Sequence, residues 1–169
     1  DPNAAFKAHV TATENIAKSL NEVSRLVYIS TDQVYGAAED HSEDIENLLP
    51  LNQYGKTKLA GERKVSKFHA NHIIVRTNLI GWNVKPCRVS SAEWIYQSLK
   101  DRQPITLFTD YTFSPIYADS LGKIILQIVD LDYKGIINVG SREACSKYEF
   151  GIMMAEVCDL DHSLISPSS

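Results

Sequence analysis

The stretch that most constrains the fold is Arg25-Leu26-Val27-Tyr28-Ile29-Ser30, in which the apolar residues run consecutively instead of alternating. A strand of that kind is apolar on both faces and suits the interior of a parallel sheet. The signature returns at His72-Ile73-Ile74-Val75-Arg76-Thr77. Between the two runs lie a turn-rich acidic stretch, 36–52, which reads as a long loop, and a helical pattern at 54–69 carrying Leu59, Ala60, Val65 and Phe68 among Lys, Glu and Arg. Ahead of the first run, residues 5–23 place Phe6, Val10, Ile16, Ala17 and Leu20 on one helical face. Helices are expected at 90–100, 117–129 and 146–158, and strands at 105–108 and 135–139. Ser146 and Glu149 stand at capping-box spacing. This alternation predicts an α/β fold with a mostly parallel sheet.

Composition excludes several classes. A formal charge of −4 with no long basic run argues against nucleic acid as a partner. No apolar run approaches the ~18 residues that span a bilayer, and Asp1-Pro2-Asn3-Ala4 does not read as a signal peptide, so no membrane association and a cytoplasmic location are expected. Cys87, Cys145 and Cys158 form no C-x-x-C pair, and His9, His41, His69, His72 and His162 show no metal-ligand spacing, so neither disulfide nor metal is indicated.

The sharpest chemical signal is Tyr54-Gly55-Lys56-Thr57-Lys58, which puts a phenol and an ammonium four apart at the start of a helix, on one face. A tyrosine of ordinary pKa, near ~10, exchanges protons poorly at neutral pH, and an adjacent ammonium lowers that value. Lys58 is expected to supply that charge. Thr31, at the end of the first strand, offers a hydroxyl where ligands meet open parallel sheets. The bland reading keeps Tyr54 as a helix-cap residue, Lys58 as a solvated lysine and the acidic segment 39–46 as a solvated flap.

Taken together, Tyr28-Ile29-Ser30-Thr31-Asp32-Gln33-Val34-Tyr35-Gly36 and Pro50-Leu51-Asn52-Gln53-Tyr54-Gly55-Lys56-Thr57-Lys58-Leu59-Ala60-Gly61-Glu62 resemble the active-site region of the dTDP-4-dehydrorhamnose reductases, extended short-chain dehydrogenase/reductases that modify nucleotide sugars. The likeness continues through Val75-Arg76-Thr77-Asn78-Leu79-Ile80-Gly81, Ser114-Pro115-Ile116-Tyr117-Ala118-Asp119 and residues 135–150. It implies a partial Rossmann-like, doubly wound parallel sheet with part of a small C-terminal substrate region, divided as 1–81 and 82–169. It also implies a site in which Thr31 hydrogen-bonds the sugar keto oxygen, Tyr54 delivers a proton, and Lys58 holds the cofactor ribose while lowering the tyrosine pKa. Ser30, Tyr54, Lys58, Thr77, Asn78 and Leu79 would meet NAD or NADP; Thr31, Asp32, Gln33 and Tyr54 would meet the nucleotide sugar. Arg76 reads as a packing or strand-end residue. A homodimer is compatible with all of this.

Two departures qualify the likeness. No glycine-rich turn follows any strand, so the chain reads as an internal piece lacking two βα units, on the order of 60 or more residues. His9 stands where the family usually has asparagine, as a neutral replacement or an altered proton relay. Gln33, an amide, disfavours a 4,6-dehydratase, which needs a carboxylate there. A 4-epimerase using bound NAD stays open, as does a non-catalytic module like the regulatory subunit of methionine adenosyltransferase.

Overall fold

The computed structural model describes residues 1–36, 41–45, 47–83 and 89–169; the expected features at Glu39, Asp40, Glu46 and Cys87 lie outside these. In chain order the helices are α1 Pro2–Phe6, α2 Ala12–Ser19, α3 Gln53–Phe68, α4 Ser91–Lys100, α5 Ala118–Asp130 and α6 Lys147–Val157. The strands are β1 Leu26–Ile29, β2 His72–Ile80, β3 Ile105–Phe108, β4 Thr112–Phe113, β5 Pro115–Tyr117, β6 Gly135–Val139, β7 Cys145–Ser146 and β8 Ile165–Ser168. The chain forms two compact units, Asp1–Thr77 with Lys123–Val139, and Asn78–Gly122 with Gly140–Ser169.

The first unit is organised by β2. It pairs in parallel with β1, from Leu26↔His72 to Ile29↔Val75, and with β6, from Ile73↔Gly135 to Thr77↔Val139. Ile73, Ile74 and Val75 are each fully buried, as three consecutive apolar residues must be when both faces of a strand are covered. The helix expected at 5–23 starts earlier, with the Asp1 side chain accepting from Asn3 N at 2.8 Å and Pro2 in the first turn. A π-helical turn at Lys7–Thr11 interrupts it before α2, and the backbone becomes extended at Leu20. α2 and the π-helical turn pack on α3, burying Val10, Ala17 and Val65.

The second unit has its own core of Ile95, Leu99, Ile105, Leu107, Ala155 and Ile165, contributed by α4, β3, α6 and β8. β3 and β8 pair in parallel, and β4 and β7 form a two-residue antiparallel ladder. Full capping boxes, Ser90 with Glu93 and Ser146 with Glu149, start α4 and α6. The last residues of β2 pair with β5 from Asn78↔Pro115 to Ile80↔Tyr117. No described helix is long and apolar enough to cross a membrane.

Candidate active site

The end of β1 turns directly into a 3-10 turn, Asp32–Val34, whose cap is Thr31. The buried Thr31 hydroxyl accepts from Gln33 N at 3.3 Å and donates to Asp32 Oδ1 at 3.1 Å, which fixes its rotamer at the strand edge. Val34 and Tyr35 then enter a small core with Leu48 and Leu59, anchoring the turn to the loop and to α3.

That anchoring brings the turn to the start of α3. Asn52 caps the helix by accepting from Gly55 N at 2.7 Å, and its amide donates to Gln33 Oε1, also at 2.7 Å. Gln33 thus ties the Thr31 turn to the helix that carries Tyr54. Gly55 makes the approach feasible: a Cβ there would meet the Gln33 carbonyl oxygen at 2.5 Å. Tyr54 lies in the first turn of α3 with 45% exposure, and Lys58 follows one turn later on the same face.

The electrostatics correct one expectation. The Tyr54 phenol is pushed above its ordinary value, first by burial and then by the Asp32 carboxylate, while the Thr31 side chain pulls it partly back. Lys58 does not lower it here: its ammonium donates to the Ile29 carbonyl at 2.5 Å and sits 4.1 Å from the centre of the Tyr28 ring. Burial lowers the Lys58 pKa, and Glu62 works against that shift. Tyr54 therefore remains protonated at neutral pH, the state a proton donor requires.

His9 joins this group from the π-helical turn. Its Nδ1 is 3.0 Å from Thr57 Oγ1, and the Thr57 hydroxyl donates to the Tyr54 carbonyl at 2.9 Å. Burial, and then the Lys58 charge, hold the imidazole below its ordinary pKa. His9 thus touches the Tyr54 helix directly.

Of the other expected residues, Ser30 is buried and its hydroxyl donates to Glu62. Thr77 ends the first unit's share of β2, and its buried hydroxyl has no hydrogen-bond partner among the described residues. Asn78 and Leu79 open the second unit, Leu79 with 51% exposure. The loop read as a solvated flap is tied down in its described part: His41 stacks on Tyr35 with centroids 4.5 Å apart, and Glu43 accepts from Asn138 N at 2.7 Å.

Sequence reasoning passed over Glu62, whose carboxylate is 3% exposed and paired with an equally buried Arg76 at 2.8 Å. The available signal was its spacing, four residues beyond Lys58 and eight beyond Tyr54, on the same helical face. Among the described residues, no group of three His, Cys, Asp or Glu side chains could hold a metal ion.

Comparison with known proteins places this geometry. Residues 1–169 match the family model described as RmlD substrate binding domain. A probable low-salt glycan biosynthesis reductase from Haloferax volcanii is 26% identical over 99% of this chain and 57% of its own length. The beta subunit of methionine adenosyltransferase 2 from Xenopus tropicalis is 29% identical over 98% of this chain and 52% of its own. The crystal structure of a Bacillus anthracis dTDP-4-dehydrorhamnose reductase in complex with NADP superposes with a TM-score of 0.87 at 28% identity, covering 99% of this chain and 59% of that one. The chain spans a little over half the length of these relatives.

Proposed function

The chain belongs to the RmlD substrate binding domain family, and from that membership we propose that it is the catalytic half of a reductase acting on a nucleotide-linked 4-keto-6-deoxy sugar. The observation that carries the reading is the Asn52–Gln33 tie, which fastens the Thr31 turn to the start of the helix carrying Tyr54, with Lys58 one helical turn beyond Tyr54. In this scheme the Thr31 hydroxyl hydrogen-bonds the keto oxygen and orients the carbonyl. Tyr54, held protonated by burial and by Asp32, gives its proton to that oxygen as the carbonyl carbon is reduced. Asp32 and Gln33 border the sugar. Lys58 keeps a positive charge beside the helix start and binds the cofactor ribose.

The cofactor is NAD or NADP, and when bound it supplies the hydride. The buried Thr77 hydroxyl, without a hydrogen-bond partner among the described residues, fits a polar ligand beside β2, and Ser30, Asn78 and Leu79 complete the contacts assigned to this chain. The reaction belongs to carbohydrate biosynthesis in the cytoplasm, and a homodimer is compatible with it.

The test uses the full-length protein with a dTDP-linked 4-keto-6-deoxy sugar, following absorbance of the reduced nicotinamide with NADPH and NADH in turn. Stoichiometric loss of the reduced cofactor supports the reductase and settles cofactor choice. Conversion without net cofactor use points to a 4-epimerase, and binding without turnover points to a regulatory module like the methionine adenosyltransferase relative.

A further inference from the structure

The reaction scheme leaves a buried ionic cluster unused. Arg76 Nη2 lies 2.8 Å from Glu62 Oε2, with Nε 3.2 and 3.3 Å from the two carboxylate oxygens. The Ser30 hydroxyl donates to the same carboxylate. The remaining guanidinium arm donates to the Tyr35 hydroxyl at 3.0 Å, which in turn donates to Asn138 Oδ1 at 2.9 Å. Three of its members border the candidate site in sequence: Ser30 precedes Thr31, Arg76 precedes Thr77, and Glu62 follows Lys58 by one helical turn.

Burying two charges costs about as much as their attraction returns, so stability alone is a poor reason for such a pair. A carboxylate on α3 that accepts from Arg76 of β2 and from Ser30, directly after β1, fixes three segments against one another. We propose that Glu62 is a positioning residue for the reaction, joining the residue that follows β1 and the middle of β2 to α3 so that the Thr31 hydroxyl, the Tyr54 phenol and the Lys58 ammonium keep one register. This rests on the reductase reading. Glu62 also acts on Lys58 through its charge, opposing the effect of burial. The other groups facing that ammonium are the Tyr28 ring from β1 and His9 from the π-helical turn; those facing Glu62 are Arg76 from β2, Tyr28 from β1 and Ser30 directly after β1.

The test is the double variant Glu62→Gln/Arg76→Met in the full-length protein, which removes the pair without stranding either charge. Its readouts are kcat, KM for the sugar, and the titration of Lys58 followed by carbon-13 NMR on a reductively methylated sample, the resonance assigned with Lys58→Arg. The fold is retained, kcat falls about tenfold to a hundredfold with KM nearly unchanged, and the Lys58 midpoint moves to lower pH. A folded variant with wild-type kcat or a wild-type Lys58 midpoint overturns the proposal. Should the double variant not fold, Glu62→Asp keeps the charge but draws the carboxylate back from Ser30 and Arg76; a reduced kcat is expected, and a wild-type kcat overturns the proposal. Wild-type turnover in Tyr54→Phe would instead sink the reductase reading, and the Lys58 titration would still decide what Glu62 does.

Discussion

The His9 ring stands edge-on to the ring of Tyr54, with centroids 5.6 Å apart and planes at 81°. A titratable imidazole therefore abuts the phenol assigned to proton transfer, and its charge state matters to the fold around it.

The first prediction follows from the sign of the His9 shift. Its pKa is lower in the folded protein than the ordinary value near ~6.5, because burial and Lys58 disfavour the imidazolium. Between the folded and unfolded values the unfolded chain binds more protons, so the stabilisation is complete above the unfolded pKa and is lost as pH falls towards the folded one. His9→Gln removes this dependence. Thermal unfolding followed from pH 7 down to 5 should show a shallower fall in Tm for the variant; parallel curves would contradict the assignment.

A second prediction concerns Arg76. Arg76→Met alone leaves the Glu62 carboxylate buried beside an apolar side chain, a change that costs about 3–5 kcal/mol. Urea unfolding should show the single variant far less stable than Glu62→Gln/Arg76→Met. Equal losses in the two would mean that the pair is not coupled.

Much of this architecture was readable in the chain. The consecutive apolar runs at β1 and β2, the helical period of α3 and the Ser146–Glu149 spacing are local patterns, and local patterns survive in a single sequence. Glu62 was not readable, because a glutamate among Lys and Arg on a helix looks solvated until tertiary structure buries it against Ser30 and Arg76. The two-residue strands β4 and β7 carry no periodicity at all, and Pro167 disguises β8. The return of residues 123–139 to the first unit depends on long-range pairing with β2, which no local pattern encodes. The direction of the Tyr54 shift is not readable for a related reason. Spacing brings Lys58 to the same face, but the Ile29 carbonyl and the Tyr28 ring hold the ammonium.

The third prediction tests the link between the Thr31 turn and α3. Asn52→Ala removes the helix cap and the hydrogen bond to Gln33 together. A loss of about 0.5–2 kcal/mol in chemical denaturation is expected from the cap, together with a reduced kcat, since the turn and the helix lose their shared tie. A variant with unchanged stability would show that the cap is replaced by water.

The most direct measurement is turnover by Tyr54→Phe in the full-length protein, with circular dichroism and cofactor binding as checks on the fold. Tyr54 is 45% exposed, so the fold should persist. The account predicts a fall in kcat of about a hundredfold or more, in the range expected for loss of a positioned proton donor, with the KM for the sugar changed much less. Wild-type kcat in a folded, cofactor-binding Tyr54→Phe protein would contradict it.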